Sequence, residues 1–241
     1  MTAYLKPSDR IFCALDTVNT EAAVAAASNL LGVVGGIKLG LEFYCSAGAD
    51  GFKAVADTGM PIFLDLKFHD IPNTVVGAIR AVMPLAPKIL TIHTQGGPEM
   101  MRRAAETAAE EADRHGVSAP WVVGVTLLTS LDNGDLTAMS ISGTTDTVVP
   151  TLAGLAQASG LDGIVCSPKE IAMVRSQTAR DFKLVVPGIR PAGSAVGDQK
   201  RVMAPREAVS AGADVLVIGR PITGADDPVA AAKAIAASLN G

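Results

Sequence analysis

The chain has 241 residues, 49% of them apolar, and a net charge of −4. That is enough apolar material for a sizeable core, and the mildly acidic balance without a basic block argues against nucleic-acid or anionic-membrane binding. Its three cysteines stand in no CxxC or Cys/His spacing, which argues against a disulfide framework or a zinc site and leads us to expect reduced thiols in the cytoplasm.

Taken in chain order, the first ten residues lack the apolar stretch of a signal peptide, and no uncharged apolar run of about 18 residues follows. Short apolar runs then alternate with helical patterns. The runs are Ile11–Leu15, Val34–Leu39, Pro61–Leu66, Ile89–His93, Trp121–Thr126, Gly163–Ser167, Lys183–Pro187 and Asp214–Gly219. They are rich in Val, Ile and Leu and nearly unbroken, as strands buried on both faces should be. Glu21–Leu31 reads as a helix after the cap candidate Thr20, ending at Gly32. Pro98–His115 carries a proline at its start and Gly116 past its end, and Pro228–Leu239 is a final Ala-rich helix. The polar stretch Leu131–Thr147 reads as a loop and short helix after the fifth strand. Pro191–Gln199, made of small polar residues, reads as a mobile loop. Eight such units of about 30 residues each predict an α/β fold, a (β/α)8 TIM barrel of about 250 residues. A single domain is expected over 1–241, with its core at about 11–239. A doubly wound open sheet is the alternative.

In such a barrel the active site lies at the C-terminal ends of the strands. Asp16 ends the first run, Lys38 the second, and Asp65 and Lys67 the third. His93 ends the fourth and Thr126 the fifth, with Thr129 and Ser130 following. Arg190 follows the seventh and Gly219-Arg220 ends the eighth. Asp65 and Lys67 are two apart, so on a strand they face the same side, and Asp70 sits just beyond. Unpaired buried charge costs several kcal/mol, so the cluster must neutralise itself, and it points to function. Pro187-Gly188-Ile189-Arg190 and Ile218-Gly219-Arg220-Pro221, with Gln199, form a second cluster. Loops after strands seven and eight are a recurrent phosphate site, and arginine offers phosphate a planar bidentate donor. His93 reads as a hydrogen-bonding wall residue rather than a base, His69 as a neighbour behind the lysine, and His115 as a favourable helix end. Met83, Met100, Met101, Cys13 and Cys166 read as core.

The decapeptide Asp65-Leu-Lys67-Phe-His-Asp70-Ile71-Pro72-Asn73-Thr74 resembles the signature of the orotidine 5′-monophosphate decarboxylase family. Ala14-Leu15-Asp16, Ile37-Lys38-Leu39-Gly40, Leu128-Thr129-Ser130, Gly197-Asp198-Gln199 and the two arginine motifs follow in that family's order, so the resemblance runs from about residue 11 to 239. It implies a homodimeric barrel that decarboxylates orotidine 5′-monophosphate to uridine 5′-monophosphate without cofactor or metal. Lys67 would donate the proton to C6, Asp65 would sit against the substrate carboxylate, and Lys38 would hold the aspartates and contact the ribose. Asp16 would bind a ribose hydroxyl. Asp70, Ile71 and Thr74 would reach the neighbouring subunit's site. Thr129, or Ser130 beside it, would bind the base. Pro187, Arg190, Gln199, Gly219 and Arg220 would enclose the phosphate.

The residue types suit that chemistry. Loss of CO2 from C6 leaves an electron pair that no adjacent carbonyl delocalises, so fixed charge must stabilise it. A lysine ammonium is a compact charge with a transferable proton, whereas arginine holds its proton too tightly. Three rivals remain at this point. A magnesium-dependent keto-sugar-phosphate decarboxylase of the same superfamily would place a metal beside Lys38, which is electrostatically poor. A non-catalytic phosphoribosyl-binding barrel gives no reason for so costly a charge cluster, and a phosphosugar isomerase needs a poised carboxylate or histidine base.

Overall fold

The computed structural model describes residues 6–191 and 203–240. Eight parallel strands close into a barrel: β1 (Ile11–Leu15), β2 (Gly36–Gly40), β3 (Ile62–Phe68), β4 (Ile89–His93), β5 (Trp121–Val125), β6 (Gly163–Val165), β7 (Lys183–Val186) and β8 (Val215–Ile218). Each pairs with the next, and β8 returns to β1 through Ile11↔Leu216, Phe12↔Val217 and Cys13↔Ile218. The helices are α1 (Thr20–Leu30), α2 (Leu41–Ala56), α3 (Pro72–Val82), α4 (Gly97–His115), α5 (Asn133–Ala138) and α6 (Thr145–Ala158), then α7 (Ile171–Arg175), α8 (Pro205–Ala211), α9 (Arg220–Thr223) and α10 (Pro228–Ser238).

The near-continuous apolar runs are explained by two buried surfaces. Ile11, Cys13 and Leu15 of β1 pack outward with the helices, while Phe12 and Ala14 point into the barrel with Phe63, Ile89, Val123, Val185, Val215 and Val217. Phe12 and Phe63 meet edge to face at 6.2 Å inside the barrel. A Cβ on Gly36 would fall 2.3 Å from the Phe12 ring, so glycine is what lets that ring turn inward. The inward series that begins with these apolar residues continues toward the C-terminal mouth as polar ones. Phe12 and Ala14 lead to Asp16, Phe63 to Asp65, and Ile89 to Thr91 and His93.

Several boundaries differ from those read in the sequence. β2 extends to Gly40 and β3 to Phe68, so Lys38 lies mid-strand and Lys67 precedes the strand end, while Asp16 and Thr126 fall one residue past β1 and β5. β6 stops at Val165 because Ser167 opens a 3-10 turn whose Glu170 carboxylate accepts the Ser167 N–H at 2.7 Å. Asn19, not Thr20, caps α1: its extended backbone lets Oδ1 accept from the Ala22 N–H at 2.9 Å, and Thr20 is already helical. The stretch after β5 folds into α5, where Asp132 and Asp135 form a reciprocal capping box, before α6 begins. Met83, Met100, Met101, Cys13 and Cys166 are all fully buried, and burial pushes the Cys13 thiol up to about 12. Among the described residues no helix is long and apolar enough to cross a membrane.

Candidate active site

At the C-terminal mouth lies a cavity of about 280 Å³. Asp16, Lys38, Asp65, Lys67 and Thr129 line it from β1 to β5; Pro187, Gly188, Arg190, Gly219 and Arg220 line it from β7 and β8. Its floor is the apolar barrel interior: Ala14, Phe63, Val165, Val185 and Val217. The sequence reading named the charged wall and missed this floor, although the two-residue alternation within each run was the available signal.

Asp65 is the centre of the charged wall. It is 8% exposed, and its two oxygens face different ammonium groups. Lys67 Nζ lies 2.9 Å from Oδ1 and Lys38 Nζ 3.5 Å from Oδ2, with Asp16 Oδ1 a further 3.8 Å from the same Lys38 nitrogen. Burial works to raise the Asp65 carboxyl. The charges of Lys38 and Lys67, with hydrogen bonds from Lys67 and Thr91, outweigh it and hold the group below the usual carboxylate value.

The strand does not reach this arrangement by regular parity. The β3–β4 register shifts between Leu64↔Leu90 and Phe68↔Ile92, and Lys67 adopts φ 52°. A left-handed backbone costs a non-glycine residue about 1–2 kcal/mol, so tertiary contacts must hold it. Thr91, fully buried on β4, supplies them: its hydroxyl accepts the Lys67 N–H at 2.9 Å and donates to Asp65 Oδ1 at 3.0 Å. Sequence reasoning passed over Thr91. The available signal was a hydroxyl inside an apolar strand, which needs a partner when buried.

Arg190 and Arg220 line the same cavity. Burial, then the charge of Arg220, pulls Arg190 below its ordinary value, which marks a place where an anion would be welcome. Arg190 is steadied by its own backbone, whose N–H donates to the Met203 carbonyl at 3.0 Å. Gly188 has φ 76°, so its glycine is a backbone requirement as well as a wall of the site.

Not every expected residue gathers here. Asp70, Ile71 and Thr74 are exposed at the start of α3 and do not line the cavity; Ile71 is 67% exposed. The Asp70 carboxylate accepts the Ile71 N–H at 2.7 Å within its own loop. Thr129, rather than Ser130, is the residue of that pair lining the cavity. Gln199 and most of the Pro191–Gln199 loop lie outside the described residues. The His93 ring lies 5.2 Å from that of His69, and its Nδ1 is buried without a hydrogen-bond partner among the described residues. Burial, then repulsion from His69 and Lys67, keeps His93 below the usual imidazole value. Among the described residues no three His, Cys, Asp or Glu side chains gather in a way that could hold a metal ion.

The model of the Orotidine 5'-phosphate decarboxylase / HUMPS family matches residues 9–235. The chain is 51% identical over 232 residues to the orotidine 5'-phosphate decarboxylase of Rhodospirillum rubrum, covering 96% of this chain and 94% of that one. It is also 51% identical to the enzyme of that name from Novosphingobium aromaticivorans, covering 96% and 100%. The crystal structure of orotidine 5'-phosphate decarboxylase from Lactobacillus acidophilus superposes with a TM-score of 0.83 at 35% identity, covering 96% of this chain and 99% of that one. The chain therefore belongs to the orotidine 5'-phosphate decarboxylase / HUMPS family.

Proposed function

We propose that this chain is a carboxy-lyase that converts orotidine 5′-monophosphate to uridine 5′-monophosphate in pyrimidine biosynthesis, working in the cytoplasm and without a cofactor. One observation carries the reading. A single buried carboxylate, Asp65, is divided between two ammonium groups in the wall of a cavity that two guanidinium groups, those of Arg190 and Arg220, also line. The substrate has matching features, a reacting carboxylated ring and a phosphate joined by a ribose.

In this reading the phosphate rests against Arg190 and Arg220, with Gln199 as a further ligand. Asp16 and Lys38 hold the ribose hydroxyls, and Thr129 holds the base. The C6 carboxylate then lies beside Asp65. As the C6–carboxylate bond breaks, CO2 leaves and its bonding pair stays on C6, facing the Lys67 ammonium. A fixed positive charge in a partly water-excluded site stabilises that pair without reorganising solvent. Lys67 then gives its Nζ proton to C6, forming the C6–H bond of the product, and regains a proton from water. Binding energy at the phosphate can be expressed in turnover, because it holds the ring where the lysine points.

The homodimer belongs to the same proposal. Asp70, Ile71 and Thr74 would complete the neighbouring subunit's site, in keeping with their exposure at the barrel rim and with an Asp70 carboxylate that accepts the N–H of its own loop's Ile71. Against a magnesium-dependent keto-sugar-phosphate decarboxylase stands Lys38, whose ammonium takes the Asp65 oxygen that Lys67 leaves free. The experiment is loss of pyrimidine absorbance from orotidine 5′-monophosphate in the presence of chelator. Turnover supports the reading. No turnover, or turnover restored only by added magnesium, refutes it.

A further inference from the structure

We infer that Thr91 is a positioning residue of this site, whose hydroxyl sets both the backbone that aims Lys67 and the carboxylate against which its ammonium rests. The kinetic consequence rests on the decarboxylase reading; the structural one does not.

Between the pairs Leu64↔Leu90 and Phe68↔Ile92, the residues Asp65, Leu66 and Lys67 of β3 stand opposite the single residue Thr91 of β4. Two extra residues must be absorbed, and a backbone N–H inside the barrel wall must find an acceptor other than a ladder carbonyl. Lys67 N–H finds Thr91 Oγ1 at 2.9 Å. An N–H can only donate, so the threonine's own hydrogen is free to point to Asp65 Oδ1, 3.0 Å away. That same Oδ1 accepts from Lys67 Nζ at 2.9 Å. A closed ring results: Lys67 N–H to Thr91, Thr91 O–H to Asp65, and Asp65 to the Lys67 ammonium.

Both ends of Lys67 are thus referred to one buried hydroxyl. Thr91 is fully buried and is absent from the cavity wall, so it does not touch what the cavity holds. Its effect must pass through Lys67 and Asp65. Valine has the shape of threonine without the hydroxyl, so Thr91→Val leaves the packing and removes the ring. Serine keeps the hydroxyl and loses only a methyl group.

The test compares Thr91→Val and Thr91→Ser with wild type. Thr91→Val should lower kcat about 10- to 100-fold with KM within about threefold, the scale of a reacting group displaced by about 1 Å. Thr91→Ser should restore most of kcat. Removing the hydroxyl also removes a hydrogen bond that favours the ionised Asp65, so the acid limb of the kcat profile should move to higher pH in Thr91→Val alone. A crystal structure of the ligand-free Thr91→Val protein should show Lys67 out of its left-handed conformation and its Nζ away from Asp65 Oδ1. Should the valine variant not fold, Thr91→Ala takes its place in every arm. Wild-type kcat in the valine variant, equal losses in the valine and serine variants, or an unmoved Lys67 in the crystal would each overturn the proposal. A wild-type protein inert toward orotidine 5′-monophosphate would refute the functional reading and leave the crystal structure to decide this one.

Discussion

Lys38 reaches Asp65 at the oxygen that Lys67 leaves open: Nζ to Oδ2 is 3.5 Å for the first lysine and Nζ to Oδ1 is 2.9 Å for the second. One buried carboxylate therefore separates two cations that would otherwise repel each other. The pairing also ties the charge cluster to folding. Asp65 titrates below the usual carboxylate range in the native state, so it adds stability above its unfolded value of about 3.9, and that contribution disappears as pH falls through the folded value.

Asp65→Asn should accordingly be less stable than wild type near pH 7. The difference should narrow once pH drops below about 4, where the unfolded carboxyl begins to bind its proton. Denaturant titrations of both proteins across pH 2–7 measure it. A difference that stays constant over that span would contradict the assigned role of the two lysines.

The arginine pair makes a second prediction. Burial, and then the charge of Arg220, depresses Arg190, so an anion beside it would be stabilised. Arg220→Ala should cost at least ~2 kcal/mol of transition-state stabilisation, about 30-fold in kcat/KM. Inorganic phosphate should raise the melting temperature of wild type more than that of the variant. Equal kcat/KM, or equal protection by phosphate, would rule out the phosphate assignment.

Asp70 provides the test of the assembly. If it serves the neighbouring site, Lys67→Ala and Asp70→Ala homodimers should each be nearly inactive. A refolded equal mixture should regain up to about a quarter of wild-type activity, because half the dimers are hybrid and each hybrid has one intact site. A mixture no more active than its parents would place Asp70 in its own subunit's site or outside catalysis.

Much of this was legible in the chain itself. The eight strands were readable because a barrel wall is apolar on both faces, so Ile11–Leu15 and Ile89–His93 appear as unbroken runs. Lys38, Asp65, Lys67, Arg190 and Arg220 were readable because charge at the mouth end of such a run has no packing purpose. The left-handed backbone at Lys67 was not, since the hydroxyl that accepts its N–H stands on the next strand, 24 residues further along the chain. Thr20 drew attention as a cap because either neighbour has a suitable side chain, and only the backbone bend decides for Asn19. Asp70, Ile71 and Thr74 were singled out by their motif, yet they stand exposed at the rim, outside the cavity of their own chain.

The most direct measurement follows orotidine 5′-monophosphate turnover, with chelator present, for wild type and Lys67→Ala, alongside the affinity of each for uridine 5′-monophosphate. The account predicts a loss in kcat of at least about 10³-fold, the upper range for removing one fixed donor from a developing anion, with product affinity held within about tenfold. A variant lacking the Lys67 amine that still decarboxylates the nucleotide at the wild-type rate would contradict it.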